Sequence, residues 1–185
     1  MSDSRRPFAR AAIIARFKPV HLGHAAVLEG LAAVAHEAVV GIGSSNRYNP
    51  RNPFTTAETA AMIGMVVAGS DNMKLLEVPD FDDGPRWRDM VVDLLGPLDA
   101  FFTANPYVRD LLAGHYRVLH PVTLVAPEKR RRVSGTMVRR AMARGEGWRE
   151  LVPPAVAAYL EEHALVDRFR REFGPATLAP GEPEE

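Results

Sequence analysis

The sequence predicts an α/β fold, a mainly parallel sheet flanked by helices with a C-terminal helical segment. Three observations predict it. Short apolar runs alternate with stretches of helical spacing from Ala11 to Leu119. The runs are near-continuous in Ala, Val, Ile and Leu, as strands covered on both faces require. The last third lacks such runs and reads as helices. At 185 residues the chain suits one domain, taken as residues 1–173, with 174–185 read as a disordered Pro-, Gly- and Glu-rich tail.

The elements follow in order. Met1 to Phe8 reads as a flexible leader and Ala11–Ala15 as the first buried strand. After a loop, Val27, Leu31 and Val34 recur at helical spacing within His24–Ala35. Ala38–Ile42 is a second strand closed by Gly43, Ser44 and Ser45. Thr55 and Glu58 have capping-box spacing and open a helix reaching about Ala68. Lys74–Val78 is a third strand, followed by an acidic loop to Pro85 and a helix at Arg86–Leu95. Ala100–Thr103 is a fourth strand, and Pro106–Ala113 a helix stopped by Gly114. Arg117–Leu119 is a fifth strand, with one more expected at Thr123–Val125. Gly135–Arg144 is a helix stopped by Gly145, and Pro153 to about Arg171 a single last helix.

Composition excludes several function classes. Lys+Arg and Asp+Glu both number 23, which argues against a general nucleic-acid binder. With no cysteine, disulfides, thiolate metal sites and a Cys nucleophile are excluded, and a cytoplasmic location is expected. Met1 to Arg10 lacks the apolar core of a signal peptide. No apolar run approaches the roughly 20 residues of a membrane span.

Two constellations carry chemistry. The first follows the first strand: Arg16, Phe17, Lys18, His21, Gly23 and His24. Two imidazoles three residues apart, two cations, a glycine and a helix N-terminus together favour a phosphate-bearing ligand. Such loops lie at the carboxyl ends of parallel strands, where ligands bind. The second is Ser134, Thr136, Arg139 and Arg140, at a predicted helix start. Ser134 and Thr136 are good caps, and Arg139 falls on the same helix side as Thr136. The basic run Lys129 to Arg132 precedes it and could steer polyphosphate toward the site.

The string from Ala15 to His24 matches the H-x-G-H signature of the nucleotidyltransferase superfamily, and Ser134, Thr136 and Arg139 match its second signature, S-x-T-x-x-R. Within it the chain resembles the archaeal-type nicotinamide mononucleotide adenylyltransferases over residues 11 to about 163. Further resemblances are Gly41 to Ser44, Asn52 to Glu58, Val78 to Asp80 with Trp87, Thr103 to Asn105, and Trp148 to Pro153. The chain departs from the family at Ala15, Thr59, Ala104 and Val133.

The resemblance implies a Rossmann-like sheet and adenylyl transfer from ATP to nicotinamide mononucleotide or its nicotinic acid form. It makes His21, His24, Arg16 and Arg139 the catalytic groups, and Phe17, Gly23, Ser134, Thr136 and Arg140 the ATP-binding ones. Gly43, Ser44, Asp80, Trp87, Thr103 and Asn105 are then the mononucleotide site. Mg²⁺ is expected to arrive with ATP, held chiefly by its phosphates and by no dedicated protein ligands. The family's frequent multimers make a homo-oligomer the expectation. Two other readings stay open: a sibling enzyme with another phosphorylated acceptor or CTP as donor, and a non-catalytic nucleotide-binding regulator.

Overall fold

The computed structural model describes residues 6–179. Its frame is a five-stranded sheet in the order β3-β2-β1-β4-β5, formed by β1 (Phe8–Ala15), β2 (Ala35–Gly43), β3 (Met73–Val78), β4 (Ala100–Phe102) and β5 (Val118–Leu119). Every pairing is parallel. The helices are α1 (Leu22–Val34), α2 (Thr56–Val66), α3 (Gly84–Leu95), α4 (Pro106–Leu112), α5 (Gly135–Arg144), α6 (Pro154–Glu162) and α7 (Leu165–Leu178).

The core is split by the sheet. Successive strand residues point to opposite faces. Ala11, Ile13, Val40 and Phe102 face one cluster, with Leu28 and Leu31 of α1, Met62 and Ile63 of α2, and Val138 and Met142 of α5. Ala12, Val39 and Phe101 face the other, with Val91 and Leu95 of α3 and Leu112 of α4. Both faces are covered, which is why the strands read as continuous apolar runs.

Several boundaries differ from the sequence reading, each for a local reason. Of the expected leader, residues 1–5 lie outside the described residues, and Phe8 to Arg10 belong to β1. Arg10 is tolerated there because its side chain bonds Glu37 at 2.6 Å and the Leu95 and Pro97 carbonyls. The extra strand at Thr123–Val125 does not form. Pro121 instead starts a 3₁₀ turn, Pro121–Leu124, capped by His120, whose carbonyl accepts from the Thr123 hydroxyl at 2.7 Å. Helix α4 keeps its expected end, with Ala113 as the C-cap and Gly114 directly after it.

The single last helix is broken in two by Ala164, which is left-handed at φ 50°. Helix α7 runs on to Leu178, past the expected start of the tail at Gly174; residues 180–185 lie outside the described residues. Among the described residues, no helix is long and apolar enough to cross a membrane.

From β1 the chain moves outward through β2 to β3, then returns to place β4 on the other side of β1. The loops after β1 and β4 therefore diverge, opening a crevice at the carboxyl edge of the sheet.

Candidate active site

The crevice is a cavity of about 1170 Å³. It is larger than the roughly 300–1,000 Å³ of ordinary small-molecule pockets, so it has room for two nucleotides. The loops after β1, β2, β3 and β4 line it, together with the start of α5.

The β1 loop supplies the chemistry. His21 is the N-cap of α1, and its Nδ1 accepts from the His24 backbone N–H at 3.2 Å. With Nδ1 so committed, the proton of a neutral ring resides on Nε2, which is left as a donor. The His21 and His24 rings stack at 3.6 Å and 18°. Phe17, buried and left-handed at φ 55°, tilts against His24 at 4.7 Å. Burial, then Arg139, pushes the His21 pKa down to about 4. Burial, then His21, holds His24 well below the ordinary imidazole value, against a bond to the Pro19 carbonyl that acts the other way. Both rings are therefore neutral near pH 7.

Cations surround this pair. Arg139 is 3% exposed; it donates from Nη1 to the Lys18 carbonyl and from Nη2 to the Thr136 hydroxyl, each at 3.2 Å. Burial, then Arg51, lowers the Arg16 pKa, and Asp80 opposes them. Ser134 caps α5, accepting from the Met137 N–H at 3.2 Å, which leaves its hydroxyl proton to offer.

The other loops are tied to one another. Asn46 donates to the Asp80 carbonyl and accepts from the Asp80 N–H, both at 2.8 Å. Asp80 in turn accepts from the Asp82 N–H at 3.1 Å, and Asp82 pairs with Arg47. Asp83 caps α3, which carries Trp87. Asn105 caps α4 by accepting from the Tyr107 N–H at 2.9 Å, so its amide N–H₂ remains available.

Of the predicted residues, Arg16, Phe17, His21, His24, Arg139, Ser134, Gly43, Ser44, Asp80, Trp87, Thr103 and Asn105 line this one cavity. Gly23, Thr136 and Arg140 are not among its lining residues. Gly23 leaves room for His21, since a Cβ there would meet the imidazole at 3.1 Å. Thr136 is buried and holds Arg139.

Lys18, named in the first constellation but given no site role there, also lines the cavity, and sequence reasoning missed Arg51 and Tyr107. A loop cation gives no periodic signal, and only the meeting of distant loops reveals its place. Thr59, a departure from the family string, is buried and donates to the Thr55 carbonyl at 2.9 Å, within α2's first turn and away from the cavity. Among the described residues, no group of three His, Asp or Glu could hold a metal ion.

Comparisons with known proteins bear on the family and the fold. The cytidylyltransferase-like family model matches residues 12–141. A nicotinamide-nucleotide adenylyltransferase of Picrophilus torridus is 34% identical over 164 residues, covering 87% of this chain and 95% of that protein. A bifunctional NMN adenylyltransferase/ADP ribose pyrophosphatase from Francisella tularensis has the same fold, with a TM-score of 0.72 at 17% identity. The match covers 95% of this chain and 58% of that longer one. A second Francisella tularensis structure of the same description, complexed with AMP and a manganese ion, gives a TM-score of 0.68 at 17% identity with the same coverage. The family model over residues 12–141 and the 34% identity to the Picrophilus torridus enzyme over most of both chains give the assignment: the chain belongs to the cytidylyltransferase-like family and, within it, to the nicotinamide-nucleotide adenylyltransferases.

Proposed function

We propose that this protein transfers the adenylyl group of ATP to nicotinamide mononucleotide or its nicotinic acid form, giving NAD or its deamido form and pyrophosphate. The observation that carries the reading is the meeting of a neutral stacked histidine pair, Arg16 and Arg139 with the Trp87 wall in one cavity.

The 5′-phosphate oxygen of the mononucleotide attacks the α-phosphorus of ATP. A P–O bond forms to the acceptor, and the bond to the β-phosphate bridging oxygen breaks with its electron pair. The phosphate is already a competent nucleophile, so no general base is required and catalysis is positioning plus charge stabilisation. The Nε2–H of His21 donates to the phosphates as charge moves onto the leaving group, and His24 flanks the same phosphates. Arg16 and Arg139 clamp them, with Arg139 aimed by Thr136 and the Lys18 carbonyl. Phe17, Gly23, Ser134 and Arg140 complete the ATP side.

On the acceptor side, Gly43, Ser44, Thr103 and Asn105 bind the ribose phosphate. Trp87 stacks on the pyridine ring, and Asp80 fixes the loop that carries it. Mg²⁺ enters as part of the ATP substrate, where it would neutralise phosphate charge. The Francisella tularensis neighbour complexed with AMP and a manganese ion supports a divalent ion in general, without specifying magnesium.

The test is pyrophosphate release with ATP and Mg²⁺, beside either mononucleotide, no acceptor, and CTP in place of ATP. Acceptor-dependent release, with the dinucleotide seen by mass, supports the reading and ranks the two acceptors. Release with CTP alone, or none with either acceptor while ATP binds, overturns it. Within the same assay His24→Ala is expected to lower kcat by roughly 10²–10³-fold; full turnover would remove His24 from the scheme.

A further inference from the structure

Lys18 is a buried cation to which the reaction just described gives no role. It is 2% exposed yet lines the cavity. Its Nζ donates to the Ser44 carbonyl at 3.0 Å, and its own carbonyl accepts from Arg139. One residue thus joins the loop after β1, the end of β2 and helix α5. Ser44 needs such a hold, since it is a non-glycine residue in the left-handed region at φ 50°.

We infer that Lys18 binds the 5′-phosphate of the acceptor mononucleotide and, through Ser44, keeps the acceptor loop in register with the ATP loop. This rests on the adenylyl-transfer reading above. Nζ stands at the seam between the loop assigned to ATP (Arg16, Phe17) and the residues assigned to the acceptor (Gly43, Ser44). The reaction must bring two anionic phosphates into contact at that seam. Their repulsion is greatest there, and a desolvated ammonium offsets it most strongly. An ammonium buried against a backbone carbonyl is costly to maintain, and an incoming phosphate relieves that cost.

The charge state follows from the surroundings. Burial first, then Arg16 on its own loop, lowers the Lys18 pKa to about 8. Arg139 faces it from α5. His21 and His24 on α1 are neutral, and Arg51 and Asp80 act on Arg16. Lys18 is therefore charged at pH 7 and loses its proton as pH rises through about 8. The second ionisation of a phosphate monoester, near pH 6, lies on the acid side and is separable.

The experiment is steady-state kinetics of the full chain, Lys18→Met and Lys18→Arg, with both substrates varied from pH 6 to 10. For Lys18→Met, kcat/KM for the mononucleotide is expected to fall about 10- to 100-fold, with the ATP KM within about twofold of wild type. In wild type the same kcat/KM falls on the alkaline side near pH 8. Lys18→Arg keeps its charge throughout, so that limb disappears while part of the acceptor affinity returns.

The inference is overturned by unchanged Lys18→Met kinetics, by equal losses for both substrates, or by a limb near pH 8 that persists in either variant. If Lys18→Met fails to fold by circular dichroism, the Lys18→Arg profile alone decides. Absence of turnover in wild type would overturn the adenylyl-transfer reading itself. Normal wild-type turnover with an unmoved limb overturns only the role of Lys18.

Discussion

Gly23 occupies the second position of α1, against the ring of the histidine that caps the same helix. Its sequence context suggests a glycine that admits a ligand. The structure gives another reason, the 3.1 Å gap between a hypothetical Cβ and the His21 ring. That ring cannot retreat freely, because it is buried and stacked on His24. Gly23→Ala therefore sets helix propensity against the site. Alanine favours the helix by about 1 kcal/mol, while the displaced imidazole loses its aim. The melting temperature is expected to hold or rise while kcat falls at least about tenfold, since small misplacements at a reacting centre are costly. Wild-type turnover in this variant would show that the ring has slack. At this scale, motif spacing made both histidines and Arg139 legible. The i,i+3 spacing also put Thr136 beside Arg139, but spacing did not reveal what Gly23 makes room for, since that contact appears only after folding.

Helix α7 shows what an element does that its sequence does not announce. Arg168 donates to both carboxylate oxygens of Glu58, at 2.6 and 2.7 Å, and to the Pro53 carbonyl at 3.2 Å. Glu58 is the same residue that closes the capping box of α2 on Thr55. Nearby, Tyr48 bonds Glu172 and meets the Phe173 ring at 5.1 Å. The last helix thus clasps the segment that contributes Arg51 to the cavity. Burial would raise the Glu58 pKa, but the bonds from Arg168 and Thr55 outweigh it, and the net shift is downward. Arg168→Ala leaves that carboxylate with only its Thr55 bond and is expected to destabilise the fold by about 1–3 kcal/mol. Chemical denaturation would measure it, and a change below about 0.5 kcal/mol, the range of ordinary surface substitutions, would show the clasp to be ornamental. The capping box was legible because it is local, Thr55 to Glu58. Its partner was not, since 110 residues separate Glu58 from Arg168. Nor was the break at Ala164, because only glycine, and at times asparagine or aspartate, signals a left-handed residue from sequence.

For the whole molecule, the parallel sheet was legible from alternation, because strands buried on both faces must be apolar throughout. The order β3-β2-β1-β4-β5 was not, since periodicity says nothing about which side of β1 receives β4. Yet that choice creates the crevice, and the crevice has a stability consequence. It keeps His21 and His24 neutral by burial, so both have folded-state pKa values below the unfolded value of about 6.5. In acid the unfolded chain takes up protons that the folded chain refuses, so stability rises with pH in that range. The contribution is fully present above about pH 6.5 and is lost as pH falls toward about 4, the His21 value. Glu58, with its lowered pKa, adds a loss of the same sign at the lower end. The melting temperature is therefore expected to drop steadily from pH 6.5 to 4.5, with net proton uptake on unfolding by calorimetry in buffers of different ionisation enthalpy. His21→Gln removes one of the refusing groups, so its slope is expected to be shallower by up to one proton. A wild-type slope that is flat between pH 6.5 and 5, where carboxylates contribute least, would mean that the two histidines titrate in the folded enzyme as they do in the unfolded chain, with no shift from burial. In that case the phosphates would meet a cationic pair below about pH 6.5 and a neutral donor only above it.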